Sequence, residues 1–235
     1  MTNAPLDNHK QQAAAQAVQF VQPGMVLGLG TGSAAIHATR AIAALLHQGT
    51  LHDIVGFATS RAVWAAEAVR LGIPMLTEDM PRAIDLTIDG ADDIDPALNL
   101  IKGGGGALLR EKLVAQASHR VIIIADDTKL SPRLGTNHAL PVEVLPFGWR
   151  SQARFPTALG ASVSVRRTPD GQDARTDQNN MILDCAFGPI ADPAGLAAKL
   201  SAQAGIVGHG LFLNLADDVI VAGPAGIRHL QRPNQ

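Results

Sequence analysis

The sequence contains no Tyr, only six Phe and two Trp, and a single Cys. With so few rings, the core must be built from Ala, Val, Ile and Leu. That suits helices packed on a buried sheet and argues against the aromatic platforms on which nucleic-acid bases stack. One cysteine, Cys185, excludes an intramolecular disulfide. It lies in the apolar run 181–185 and reads as a small buried residue rather than a reactive thiol. Long apolar segments are missing too, since the longest aliphatic run, 121–125, is far too short to span a bilayer. The N-terminal stretch lacks the apolar centre of a signal peptide. No basic run occurs and the formal net charge is −2, so the electrostatic footprint of a nucleic-acid binder is absent. The expectation is a cytoplasmic protein with neither nucleic acid nor membrane as partner. A mild negative balance still permits an anionic small-molecule ligand, because a local site can be positive where the surface is not.

What is present indicates an α/β chain. The 235 residues are 46% hydrophobic and 17% charged, which favours a folded core. The first twenty residues read as a helix stopped by Pro23-Gly24. A short apolar strand over 25–29 then meets a glycine loop and a helical pattern over 34–47. Strand and helix alternate again: a strand at 54–57 and a helix through Leu71, a strand at 84–88 ending at Asp89, a helix at 107–117, and the most apolar strand at 120–125. Continuous rather than alternating apolar strands indicate a parallel sheet covered on both faces.

Beyond Gly135 the texture changes. Segments 142–144 and 162–166 alternate, a polar turn over 169–180 leads into 181–185, a helix is expected at 193–203, and a strand begins at Ile206 and runs to Leu213. The expected architecture is a Rossmann-like, doubly wound, mostly parallel sheet over 1–135 and 208–235, with 219–221 returning to that sheet. A small α+β, ferredoxin-like domain is expected over 136–207.

Three constellations carry chemistry. Gly28 to Ala34 (GLGTGSA) follows a strand and opens a helix, where unpaired N–H groups and the helix dipole favour phosphate. The dinucleotide fingerprint would need Gly where Ser33 stands, and no P-loop pattern occurs. An ordinary tight turn remains the bland alternative. The second, Asp89 to Asp95 (DGADDID), places four carboxylates at the end of a strand, where open α/β sheets bind ligands. It lacks the calcium-loop pattern, which leaves a solvated acidic turn or aspartates facing a polyhydroxy ligand. The third, Lys102 to Lys112 (KGGGGALLREK), has four consecutive glycines, costly in a folded loop unless close approach to a ligand or unusual dihedrals require them. A flexible linker and, for Glu111, a surface-helix role are the alternatives. None of the three alone identifies a ligand. Together they suggest a phosphorylated sugar.

In combination and order, GxGTGS at 28–33, DGAD at 89–92, KGGG at 102–105 and LxREK at 108–112 are similar to signature segments of the type A ribose-5-phosphate isomerases. Further segments extend the likeness over nearly the whole chain: Ile124-Ala125-Asp126 with Lys129, LPVEV at 140–144, Thr176-Asp177 to Asp184, and GHGLF at 208–212. The resemblance implies interconversion of D-ribose 5-phosphate and D-ribulose 5-phosphate through a cis-enediolate, without metal or organic cofactor, by a homodimer or homotetramer. It implies that Glu111 is the proton acceptor, that Asp89 and Asp92 act in ring opening and hydroxyl positioning, and that Lys102 offsets charge in the intermediate. It also implies that Thr31, Gly32, Ser33, Ala34, Gly90, Ala91, Gly103, Gly104, Gly105 and Lys129 complete the substrate-binding set. Family members commonly carry Thr where this chain has Ala34, so one hydroxyl contact to the phosphate is lost while the backbone N–H remains. Rival readings are a non-catalytic sugar-phosphate sensor, an amino-sugar-phosphate deaminase and a CoA transferase of related fold. The N-terminal region lacks a DNA-binding segment, and no His lies within 84–112.

Overall fold

The computed structural model describes residues 4–61, 63–80 and 82–232. Residues 1–3 of the expected first helix and residue 62 of the third lie outside them. In chain order the elements are α1 (Ala4–Val18), β1 (Val26–Leu29), α2 (Ala35–His47), β2 (Val55–Ala58), α3 (Val63–Arg70), β3 (Ile84–Asp89), β4 (Asp93–Ile94), β5 (Leu100–Ile101), α4 (Leu108–Gln116) and β6 (Ser118–Asp126). Then follow β7 (Leu140–Val144), α5 (Trp149–Ala158), β8 (Ser162–Val165), β9 (Met181–Ala186), α6 (Pro193–Ala202), β10 (Ile206–His209), β11 (Leu211–Phe212), β12 (Asp218–Gly223) and β13 (Gly226–Gln231).

Packing divides the chain into two compact units, one of Met1–Ala91, Arg110–Thr128 and Asn214–Gln235, the other of Asp92–Leu109 and Lys129–Leu213. The first holds a six-stranded sheet in the order β13-β12-β6-β3-β1-β2. All neighbours are parallel except the terminal β12–β13 hairpin. One face carries Leu27, Leu29, Leu86, Ile88, Ile122, Ile124 and Ile220 in a single cluster with Ala13, Ala17, Ala38 and Ile42. Small alanines on α1 let that helix lie close to α2, β6 and β12. On the other face Val26 and Ile84 pack with Val114 of α4. Both faces are thus covered, as the continuous apolar strands predicted.

The second unit contains β7-α5-β8-β9-α6-β10, whose four strands form an antiparallel sheet in the order β10-β7-β9-β8. That is the ferredoxin-like connectivity. Its core joins Val142, Val144, Met181, Leu183, Cys185 and Leu200. Cys185 is fully buried, and burial pushes its thiol up to about 12, in keeping with the inert apolar role expected of it.

Four features differ from the sequence expectations. Helix α5 was not among them, because it is short, contains Pro156 and buries little of its length. The run 206–213 is two strands in different sheets, broken at Gly210, where a Cβ would lie 2.2 Å from Lys102 O. Strand β13 is nearly all exposed and carries no core pattern. Segments 92–109, 129–135 and 208–213, expected with the larger unit, pack with the smaller, because β5 pairs with β11 and β4 with β5, and Ile101 and Leu134 enter its core.

Candidate active site

In the first unit the parallel strands run in the order β2-β1-β3-β6-β12. The chain leaves β1 for β2 on one side and later places β3 on the other, which makes a topological switch point between β1 and β3, where ligands of such sheets bind. The loop 28–34 follows β1, and Asp89 ends β3. Gly30 N–H donates to Ile88 O at 3.0 Å, and a Cβ on Gly30 would stand 2.1 Å from Asp89 Oδ1. Glycine is required there because the aspartate occupies the space. Asp89 is buried and accepts from Gly90 N–H at 2.7 Å. Thr31 Oγ1 lies 2.7 Å from the buried Thr59 Oγ1, so this hydroxyl is held by a neighbouring strand end. Helix α2 has Ala34 at its N-cap position and so no side-chain cap. Its first N–H groups and dipole therefore suit an anion. Lys10 of α1 donates to Ser33 Oγ at 2.9 Å. Sequence reasoning missed Lys10, whose only signal was an isolated cation on an Ala- and Gln-rich helix, 23 residues from the loop.

Glu111 lies on α4, in the stripe Leu108, Glu111, Val114 and Ala115, all of them buried. At helical spacing it takes a place where an apolar side chain would be expected. It is only 5% exposed, which corrects the surface-helix alternative. Its neighbour Arg110 donates to Glu78 Oε1 at 3.1 Å, and with Arg61 it holds that exposed carboxyl down at about 2. Burial pulls Lys112 down to about 8.

In the second unit Lys102 follows β5. It is buried, its N–H donates to Gly210 O at 2.9 Å, and its ammonium lies 5.6 Å from the centre of the Phe212 ring, a cation–π distance. Gly103 takes φ +110°, and Gly104 N–H donates to Asp92 Oδ2 at 2.7 Å. The DGAD and KGGG segments thus meet through Asp92 and Gly104. Arg166 supplies a further contact, with its Nη1 donating to Gly103 O at 2.7 Å and Gly104 O at 3.0 Å. With so many fixed bonds, the run of glycines is no linker.

The acidic segment is no solvated turn either. Asp93 is fully buried and accepts from Gly135 N–H at 2.9 Å, and burial pushes its carboxyl above the usual range. Asp95 Oδ1 accepts from the N–H groups of Ala97 and Asn99 and shapes its own loop. Two aspartates therefore build structure, while Asp89 and Asp92 lie at glycine loops. Lys129 ends a short 3-10 turn, half-buried, and the next two residues pair with β4 through Ile94. No cluster of three or more His, Cys, Asp or Glu suited to a metal occurs among the described residues. None of their helices is long and apolar enough to cross a membrane.

The first unit thus has a switch-point glycine loop with a buried aspartate beside it, and the second a pinned glycine loop, in a fold of the α/β class. The family model for ribose 5-phosphate isomerase A (phosphoriboisomerase A) matches residues 55–226. The ribose-5-phosphate isomerase A of Chloroflexus aurantiacus is 60% identical over 230 residues, covering 98% of this chain and 96% of that protein. The ribose 5-phosphate isomerase of Plasmodium falciparum superposes with a TM-score of 0.93 at 38% identity, covering 97% of this chain and all of the other. A D-ribose-5-phosphate isomerase solved in complex with phospho-erythronic acid gives the same TM-score at 34% identity, with 97% and 99% coverage. The chain belongs to the ribose 5-phosphate isomerase A family, whose members interconvert ribose 5-phosphate and ribulose 5-phosphate. Neither the sensor reading nor the CoA-transferase reading finds support among these relatives.

Proposed function

We propose that this chain interconverts D-ribose 5-phosphate and D-ribulose 5-phosphate without metal or organic cofactor, with Glu111 as the base. The observation that carries this reading is a carboxylate buried on the core-facing stripe of α4, directly after a glycine loop, in a chain 60% identical to an isomerase of that name. In the aldose-to-ketose direction Glu111 removes the C2 proton of the open sugar while the electron pair passes to the aldehyde oxygen. A cis-enediolate results. Glu111 then returns its proton to C1 while the C2 hydroxyl gives its proton to the C1 oxygen and becomes the ketone. A carboxylate withdrawn from bulk water suits this work, because no hydration shell has to be stripped from it before it meets the substrate proton.

Asp89 and Asp92 assist ring opening and hold hydroxyls, with Gly90 and Ala91 between them. Lys102 offsets the charge that grows on the enediolate oxygens. Thr31, Gly32, Ser33 and Ala34 hold the phosphate at the uncapped start of α2, with Lys10 as an added cation. Gly103, Gly104, Gly105 and Lys129 complete the contacts. The complex of a relative with phospho-erythronic acid, a phosphorylated sugar acid, accords with such a ligand.

Further parts of the proposal are a cytoplasmic location and a homodimeric or homotetrameric state. Exposed Leu145 and Phe147 on the second unit, the latter 92% accessible, support self-association.

The test is turnover of ribose 5-phosphate in the presence of EDTA, wild type beside Glu111→Gln. Metal-independent ketose formation that falls by at least about a hundredfold in the variant is expected. A well-folded wild type without turnover would overturn the reaction, and a Glu111→Gln variant with near-normal kcat would overturn the base.

A further inference from the structure

Arg166 stands just after β8 at the edge of the antiparallel sheet, and no step of the reaction calls on it. Each of its three guanidinium nitrogens is nonetheless engaged. Nε donates to Asp184 Oδ2 at 3.0 Å and Nη2 to Asp184 Oδ1, a two-pronged grip. The remaining nitrogen, Nη1, donates to both Gly103 O and Gly104 O. From the other side Gly104 N–H donates to Asp92. Lys102 N–H is tied to Gly210 O, and Gly106 N–H returns to Gly103 O.

A trans peptide unit is planar, with its C=O and N–H pointing in opposite directions. Fixing the Gly103 carbonyl therefore fixes where the Gly104 N–H points, which is toward Asp92. Fixing the Gly104 carbonyl likewise turns the Gly105 N–H away from Arg166. Gly105 is exposed, and no hydrogen bond of its N–H occurs among the described residues. Glycines have no side chain to limit these planes, so an outside clamp must do so.

We propose that Arg166, anchored by Asp184, is a positioning residue for the isomerisation: it sets the peptide planes from Gly103 to Gly105, presents the Gly105 N–H to an oxygen of the open-chain sugar phosphate, and keeps Asp92 in place. This rests on the reading that the loop 102–105 holds the substrate. Arg166 itself touches only protein. A lysine cannot replace it, since one ammonium cannot grip both Asp184 oxygens and two carbonyls in a plane. The pair is 18% and 25% exposed. Partly exposed ion pairs contribute modestly to stability, so the larger effect falls on turnover.

The experiment compares kcat and KM of Arg166→Lys, Asp184→Asn, the double variant and Glu111→Gln, each checked for fold by circular dichroism and assayed well below its melting temperature. Arg166→Lys is expected to lose about 10- to 100-fold in kcat/KM, mostly in kcat, as misplaced binding groups do. Adding Asp184→Asn should cost little more, because the two act as a unit. Guanidinium ion at non-denaturing concentration should partly restore Arg166→Ala and leave Glu111→Gln unaffected, a result that a purely structural role would not produce. If Arg166→Lys and Asp184→Asn melt earlier but turn over within about twofold of the parent while Glu111→Gln is inactive, the positioning role is wrong and the site reading stands. If Glu111→Gln retains turnover, the site reading fails and the positioning role falls with it. Should Arg166→Lys not fold, Asp184→Asn alone decides by the same criterion.

Discussion

The two glycine loops look alike in sequence and are held in different ways. In the loop after β1, neighbouring main chain and a neutral hydroxyl hold Gly30 and Thr31, and the one charged contact, from Lys10, falls on the side chain of Ser33. Gly30 bonds to Ile88, its missing side chain makes room for Asp89, and Thr31 leans on Thr59. In the loop after β5, charged side chains hold the main chain, with Asp92 on an N–H and Arg166 on two carbonyls. The first loop is bounded by a parallel sheet that cannot yield without breaking its ladder. The second is bounded by side chains that can rotate. Similar glycine content thus reflects two needs, clearance in one loop and adjustable peptide planes in the other.

The largest effect should come from Gly30→Ala. The new Cβ would meet Asp89 Oδ1 at 2.1 Å and Asp89 Cα, a backbone atom, at 2.6 Å. Loss of about 100-fold or more in kcat/KM is expected, with about 1–3 kcal/mol of stability lost in urea denaturation. Gly104→Ala should be milder, about tenfold in kcat/KM, because its Cβ meets only the Asp92 carboxylate, at 2.7 Å. Equal damage from the two would break the contrast between rigid and adjustable walls. Lys10→Ala should raise KM by about five- to tenfold and leave kcat nearly unchanged, the sign of a phosphate contact made equally in ground and transition states. A fall in kcat alone would contradict that role.

The smallest effect concerns two buried carboxylates, and it sharpens the same contrast between charged and neutral support. Burial pushes Asp218 upward, but hydrogen bonds from Arg120, Gln231 and His229 outweigh it and hold the carboxyl below its usual value. Burial pushes Glu143 upward, and the neutral donors Asn180 and Thr176, opposed by nearby Asp177, do not reverse it. The folded state therefore binds the Glu143 proton more tightly than the unfolded chain, and stability on this account falls as pH rises from about 4.5 through the raised value. The Asp218 contribution is present above about 3.9 and is lost as pH falls through its depressed value. Glu143→Gln should flatten the stability profile between mildly acid and neutral pH and raise stability near pH 8, read by thermal melts across that range. A wild-type profile in the variant would show that Glu143 is charged in the folded state.

Local patterns made much of the fold legible. The apolar run at 120–125 is β6, the glycine stop after 25–29 is the end of β1, and the alternation at 162–166 is the edge strand β8. Each of these depends on residues a few positions apart. The two-residue strands β4, β5 and β11 were not legible, because pairs such as Leu211-Phe212 become strands only when Leu100-Ile101 comes alongside. Helix α5 escaped because its apolar residues are sparse and Pro156 sits inside it.

For the candidate site, residue types and spacing drew attention to Asp89, Asp92, Lys102 and Glu111 beside plainer readings, since glycine-flanked charges stand out against an apolar background, and the family resemblance gave them roles. Their partners were decided by the tertiary structure. Lys10 reaches Ser33 across 23 residues, and Arg166 reaches Gly103 across 63. A sequence records which groups are available. Which of them meet depends on strand order and packing, and those are set by the burial of the whole chain rather than by any one segment.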